Sequence, residues 1–221
     1  MAELDIERAR RNMISQQVRA WEVLNQRVLE VLEGMPRERF VPQRYRSLAY
    51  SDTQIPLAHD EVMMEPKVEG RLLQALDLHP GDRVLEIGTG TGYLTACLAK
   101  LAGSVHSVEI HEDFLEPAAS RLRELAIENV SVDSEDAARG FSDPDRRFDA
   151  IAVTGSLPTL HYGFHNSLEL GGRLFVIVGT QPIMEALLIT RMGQQEWSTE
   201  SLFETDLPAL RNLEAPSDFS F

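Results

Sequence analysis

Val84-Leu85-Glu86-Ile87-Gly88-Thr89-Gly90-Thr91-Gly92-Tyr93 is the stretch that decides the fold. An apolar run of strand length passes directly into a glycine-rich turn, and the apolar stretch Tyr93 to Leu101 then has the length and pattern of a helix. Glycine positions let a ligand lie against the backbone, and the N-terminus of the following helix offers unpaired N–H groups. The spacing is G-x-G-x-G. A dinucleotide fingerprint, G-x-G-x-x-G, would need its third glycine where Tyr93 stands, so a nicotinamide dehydrogenase is the weaker reading.

Working outward from the turn, helices and strands alternate. Upstream, Val68, Leu72, Leu73 and Leu76 mark a helix ending near His79-Pro80-Gly81-Asp82. Downstream, strands are expected at Ser104 to Glu109, Asn129 to Asp133, Phe148 to Val153 and Arg173 to Val178. Helices are expected at His111 to Leu125 and around Leu160 to Leu168. Such alternation predicts an α/β fold: a Rossmann-like, doubly wound and mostly parallel sheet. Ala186 to Met192 and Trp197 to Leu207 flank the polar turn Gly193-Gln194-Gln195, which predicts a C-terminal antiparallel hairpin at the sheet edge. Residues after Leu207 carry no clear pattern. Ahead of the alternation, Ile6, Met13, Val18 and Trp21, then Val28, Leu29, Val31 and Leu32 behind an Asn25 cap, predict an N-terminal helical appendage. Residues 35–65 show no period of 2 or 3.6 and read as a long irregular loop. The expected organisation is residues 1–66 as helices and loop packed on a main domain of 67–221.

Acids follow the first strands in a telling order. Glu109 ends the strand after the turn, about 20 residues on, where a carboxylate would bond a ribose diol. Glu86 and Asp136 stand at neighbouring strand ends. These carboxylates suit a ligand with ribose hydroxyls, an amine and cationic groups, with no pyrophosphate to repel. S-adenosyl-L-methionine has that chemistry. The expected cofactor site is Glu86, Gly88, Thr89, Gly90, Thr91, Gly92, Tyr93, Glu109 and Asp136.

Composition narrows the partners. Hydrophobic residues at 43% can fill a core, and 21 Lys+Arg against 35 Asp+Glu leaves a net charge of -14 that argues against nucleic acid. One cysteine, Cys97, forbids an intrachain disulfide and fits a cytoplasmic setting. The first residues lack an apolar signal core, and no run of about 20 apolar residues exists, so no membrane span is expected. His161 and His165 stand four apart without a third ligand nearby, so no metal is expected. The oligomeric state stays open.

The chain resembles the protein-L-isoaspartate O-methyltransferases from about Met13 onward. The matching stretches are Met35-Pro36-Arg37-Glu38-Arg39-Phe40-Val41-Pro42, Val84 to Tyr93, Ser107-Val108-Glu109, Asn129-Val130, Phe148-Asp149-Ala150-Ile151, Val153-Thr154, Gly171-Gly172-Arg173-Leu174 and Val178-Gly179. The resemblance implies S-adenosylmethionine-dependent methylation of the α-carboxyl of isoaspartyl residues in proteins or peptides, a repair reaction. The family's G-Q-T-I-S loop is rewritten: aligned without gaps, His59-Asp60-Glu61-Val62-Met63-Met64 stands there, with Met64 at the serine that lies near the methyl group. The family's T-A-A-P stretch has become Thr154-Gly155-Ser156-Leu157-Pro158, and its G-D-G turn Glu135-Asp136-Ala137. Acceptor-pocket candidates are therefore His59, Val62, Met63, Met64, Thr154 and Ser156, and no catalytic side chain is assigned. Asp60 and Glu61 would repel an anionic acceptor if they faced the pocket, which Lys67 or Arg71 could offset. Two other readings stay open: a methyltransferase of the same descent with a different acceptor, and a regulatory protein that binds S-adenosylmethionine without turnover.

Overall fold

The computed structural model describes residues 3–213. The chain opens with α1 (Glu3–Met13), which runs on through a wider turn at Ile14–Val18 and a tighter one at Arg19–Trp21, and stops at Glu22 with φ of 61°. Helix α2 (Gln26–Gly34) begins where the Asn25 side chain accepts from the Arg27 and Val28 N–H groups. Residues 35–65 are mostly irregular, with short helical turns at Arg37–Arg39 and Gln43–Leu48. They also hold an unexpected hairpin, β1 (Ile55–Pro56) paired antiparallel with β2 (Val62–Met63). Its tip places His59 and Asp60 at φ of 59° and 60°, and Leu57 N–H donates to Glu61 O at 2.8 Å. A turn with two positive φ angles normally uses Asn-Gly, so the sequence His-Asp gave no hairpin signal.

Helix α3 (Pro66–Leu76) leads into β3 (Arg83–Ile87), followed by α4 (Tyr93–Leu101), β4 (Ser104–Glu109), α5 (Glu112–Glu124) and β5 (Val130–Ser134). Then come β6 (Phe148–Leu157), α6 (Tyr162–Asn166), β7 (Leu168–Thr180), β8 (Ile183–Arg191) and β9 (Trp197–Glu204). One sheet of seven strands has the order β5-β4-β3-β6-β7-β8-β9. The first five in that order are parallel, and β8 and β9 run antiparallel as the expected hairpin. Two strands exceed their expected lengths. β6 continues past a register shift to Leu157, and β7 starts early because Gly171 and Gly172 sit inside the strand instead of ahead of it. The order reverses between β3 and β6, so the carboxyl ends of β3, β4 and β6 leave a crevice between them.

Helices α2, α3 and α4 cover one face, and Met13, Val18, Val28 and Leu32 share that core with Leu72, Leu73, Leu98 and Phe175. The other face is covered by α6 and by irregular segments carrying Ala137, Phe141 and Leu210. His161 caps α6 by accepting from Gly163 N–H, and His165 lies edge-on to Trp197, so both are used structurally. Trp21 packs edge-to-face on Phe203, and Cys97 is buried. Among the described residues, no helix is long and apolar enough to cross a membrane, and no group of three or more side chains is placed to hold a metal ion.

Two carboxyl groups are buried in this core. Burial pushes Glu86 up to about 8, against hydrogen bonds from Ser107 and Thr95. Burial likewise pushes Glu69 up to about 7, against the pull of Arg37. A carboxyl raised in the folded state contributes stability that is full below its unfolded pKa and is lost as pH rises through its folded pKa. His106 and His165, lowered by burial, act in the opposite direction but are already neutral in the unfolded chain above about pH 7. The thermal midpoint should therefore fall between about pH 7 and about pH 8.5, and Glu86→Gln should flatten that fall. A midpoint that stays level or rises over this range in the parent protein would show that neither carboxyl holds a proton in the folded state.

Candidate functional site

The glycine turn is held in place from both sides. Gly88, at φ of 97°, donates its N–H to Val108 O at 2.8 Å, while Thr154 Oγ1 donates to the carbonyls of Ile87 and Gly88 at 2.8 and 2.9 Å. A Cβ at Gly88 would lie 2.2 Å from Thr154 Oγ1, so only glycine lets β3 and β6 approach this closely. Gly92 caps α4 and packs on Ala118 of α5. Gly90 turns its N–H toward Glu109, whose Oε2 accepts it at 2.8 Å, while Oε1 accepts from His111 N–H at 2.9 Å. The Glu109 carboxylate is thereby fixed at the mouth of the crevice, only 4% exposed, with further acceptor directions unused.

The crevice comprises two adjoining spaces. The larger, about 620 Å³, is lined by Gly88, Gly90, Glu109, Asp136, Thr154 and Phe114 among others. The smaller, about 340 Å³, lies over the start of α4 and is lined by Met63, Met64, Glu69, Thr89, Thr91 and Tyr93. Leu57, Val62, Gly88, Gly90 and Thr154 face both. Of the candidates from the sequence, the fold brings Gly88, Thr89, Gly90, Thr91, Tyr93, Glu109, Asp136, Val62, Met63, Met64 and Thr154 to this crevice.

Four others lie elsewhere, each for a local reason. Glu86 alternates to the inward side of β3 and is fully buried, its Oε2 accepting from Thr95 Oγ1 at 2.5 Å and Ser107 Oγ at 2.6 Å. It supports the turn from below, since Ser107 also bonds Thr89 Oγ1 at 2.6 Å. Gly92 serves helix packing. Ser156 is buried and its hydroxyl donates to Leu207 O at 2.8 Å. His59, at the hairpin tip, stacks on His111 at 4.1 Å and bonds Asp113 at 2.9 Å, outside both spaces. Nor do Lys67 and Arg71 reach the crevice: Lys67 pairs with Asp52 at 2.9 Å, and Arg71 donates to Trp21 O at 3.1 Å.

Other lining residues are not among the site candidates: Glu61 reads in sequence only as a loop charge, and His111, Arg211 and Glu69 carry no site reading there. Glu61 and His111 line the larger space and approach each other at 3.3 Å, and Arg211 Nε donates to Glu61 Oε1 at 2.7 Å. Glu69 is 2% exposed, and its Oε2 accepts from Arg37, whose Nη2 also donates to Met64 O at 2.7 Å. One signal for Glu69 was available: it occupies the same helical face as Leu72, Leu73 and Leu76, where an isolated charge needs a buried partner.

Comparison with known proteins adds a family to this geometry. The model of the protein-L-isoaspartate(D-aspartate) O-methyltransferase family matches residues 8–206. Protein-L-isoaspartate O-methyltransferase 1 of Rhodopseudomonas palustris (strain HaA2) is 37% identical over 194 residues, covering 87% of this chain and 79% of that protein. A Pelobacter propionicus relative, protein-L-isoaspartate O-methyltransferase 2, is 35% identical over 191 residues, 86% of this chain and 84% of its own. The fold matches that of a Plasmodium falciparum protein-L-isoaspartate O-methyltransferase, crystallised with S-adenosyl-L-homocysteine, with a TM-score of 0.79 at 19% identity over 91% of this chain and 98% of the other. From α1 to beyond the end of β9, this is a chain of the protein-L-isoaspartate(D-aspartate) O-methyltransferase family, and it belongs there by sequence as well as by fold.

Proposed function

We propose that the protein transfers the methyl group of S-adenosylmethionine to the free α-carboxylate of isoaspartyl residues in proteins or peptides. The observation that carries this reading is the pair of adjoining spaces, one with an immobilised carboxylate and one lined by methionines. Glu109 would accept from the ribose hydroxyls and Asp136 from the adenine amine. Thr89 and Thr91, beyond the glycine turn, would hold the methionyl tail, and the Glu69 oxygen that Arg37 leaves unbonded would accept from its ammonium group. Gly88, Gly90 and Tyr93 form the floor. The substrates are cytoplasmic proteins, a setting with which the lone buried Cys97 is consistent.

The reaction needs little from side chains. A carboxylate attacks a carbon already activated by sulfonium, in line with the departing sulfur, so positioning and removal of water are what the protein contributes. Opposite charges are lost in the transition state, and an apolar, low-dielectric wall favours that loss over separated ions in water. Met63 and Met64, 5% and 4% exposed, supply such a wall beside Val62 and Leu57. Thr154 spends its proton on two carbonyls, Ser156 spends its own on Leu207, and Met64 has none to give. The acceptor carboxylate therefore meets no free side-chain hydroxyl at these positions. That same observation favours the second reading, a related methyltransferase with a different acceptor.

Titration calorimetry with S-adenosylhomocysteine tests the donor half. Glu109→Ala should weaken binding by about 1–3 kcal/mol, the worth of charge-assisted hydrogen bonds to a ribose. An unchanged dissociation constant places the adenosyl group elsewhere. For the acceptor half, methyl ester formed on an isoaspartyl peptide, and not on its aspartyl counterpart, is the expected outcome. Binding of S-adenosylhomocysteine with no such ester would transfer support to the other acceptor. Met64→Ser should raise kcat/KM for the isoaspartyl peptide roughly tenfold, through one restored hydrogen bond of about 1.4 kcal/mol. A fall instead would mean that the apolar contact of Met64 matters more than the hydroxyl.

A further inference from the structure

The larger space has one wall that lies beyond the family match, which ends at residue 206. Residues 207–213 turn back across the carboxyl end of β6, and Leu210 and Arg211 line the cavity alongside Glu109 and Asp136. The attachment changes in kind along this segment. Its first part is held by backbone bonds: Ser156 N–H donates to Pro208 O at 2.9 Å, and Leu210 N–H donates to Ser156 O at 3.0 Å. Leu210 also packs so closely on Gly155 that a Cβ there would meet its Cδ2 at 2.6 Å. Its second part is held by side chains. Arg211 donates to Glu61 Oε1 at 2.7 Å and to His59 O, and Asn212 Nδ2 donates to Asp136 Oδ2 at 2.8 Å.

We infer that residues 207–213 form a latched strap that retains the adenosyl ligand, with Leu210 as its fixed end and the Arg211–Glu61 pair as its latch. This rests on the donor assignment above. A ligand bonded to Glu109 and Asp136 lies against Leu210 and Arg211, so the strap completes its pocket. Asn212 meanwhile holds the carboxylate assigned to adenine. The latch is made of partly exposed groups, with side-chain exposures of 42% for Arg211 and 24% for Glu61. Contacts of that kind are individually weak, so the distal half of the strap opens while the backbone-bonded half stays in place. Because Glu61 belongs to the hairpin that carries Met63 and Met64, one latch closes the donor space and steadies the acceptor side together. Release of the demethylated product then requires the latch to break.

Stopped-flow measurement of S-adenosylhomocysteine dissociation tests this in the full chain. Glu61→Gln and Arg211→Ala should each speed dissociation about fivefold, and the double variant should fall well short of the product of the two, because the side chains share one ion pair even though Arg211 also bonds His59 O and Glu61 also meets His111. Arg211→Lys should restore part of the effect. The thermal midpoint should stay level in both single variants. Dissociation rates within twofold of the parent in all variants, or effects that multiply in the double variant, would overturn the latch. A parent protein that binds no S-adenosylhomocysteine would instead overturn the donor assignment and the latch with it, whereas a latch failure alone leaves binding intact.

Discussion

A single buried guanidinium ties together the parts of this molecule that have to meet. Arg37 is 0% exposed, and from that position it bonds Glu69 of α3, donates to the carbonyl of Met64, and lies over the Tyr93 ring of α4 at 4.5 Å from its centroid. Taking such a charge out of water costs several kcal/mol, and the attraction to Glu69 mainly offsets that cost. Net stability is therefore a poor explanation for the pair. Position is a better one: the segment before the hairpin, the helix after it and the start of the helix that follows the glycine turn are locked at fixed distances by one planar fork. With Met64 O held, the methionine wall faces the turn at Gly88 and Gly90.

The same logic of partnered charge runs through the crevice. The chain is strongly acidic, yet the carboxylates that approach the ligand spaces are not free to repel an anionic acceptor. Glu61 shares its Oε1 between Arg211 and His111, Glu69 is neutralised by Arg37, and Glu109 accepts two backbone N–H groups. Asp60 stands at the hairpin tip and lines neither space. The repulsion that the bare sequence suggests at positions 60 and 61 is thus largely removed by residues far away in the chain. Lys67 and Arg71, the nearer cations, take no part in this.

Local signals were strong where one physical cause acts alone. The strand at Ser104 to Glu109 and the start of the helix at Tyr93 follow from apolar period, β-branched content and a glycine boundary, and each is found where expected. The same holds for the Asn25 cap, a side chain bonding within its own turn. What stayed illegible is what depends on partners distant in sequence. The Arg211–Glu61 bond spans 150 positions, and the Arg37–Glu69 pair joins a quoted motif to a helix face with no hint of which would meet which. Glu86 misled for a different reason. Its place at the end of an apolar strand fits a ligand carboxylate and a buried one equally, and only strand alternation plus the hydroxyls of Thr95 and Ser107 distinguish them. The hairpin was hidden because His59 and Asp60 adopt positive φ without the glycine or asparagine that announces it.

Replacing a hydroxyl by a thioether at position 64 changes the balance of the reaction more than its course. A hydrogen bond to the acceptor carboxylate helps hold it, but it also stabilises the ground-state anion whose charge must be given up to the methyl carbon. Without that bond, capture of the acceptor weakens, which is the deficit in kcat/KM, and the less solvated carboxylate offsets only part of it by attacking more readily once bound. Such an arrangement works only if the acceptor is placed by something other than the lost hydroxyl, and if water cannot take the hydroxyl's place. The buried methionine pair presents no group for water to bond on the side of the smaller space that it lines, and the Arg37 bond to Met64 O keeps that pair from drifting. If Met64 stands at the acceptor end as proposed, the rewritten loop and the buried guanidinium act together: the methionine pair supplies shape and dryness, and Arg37 holds it in place, where the resemblance implies a serine.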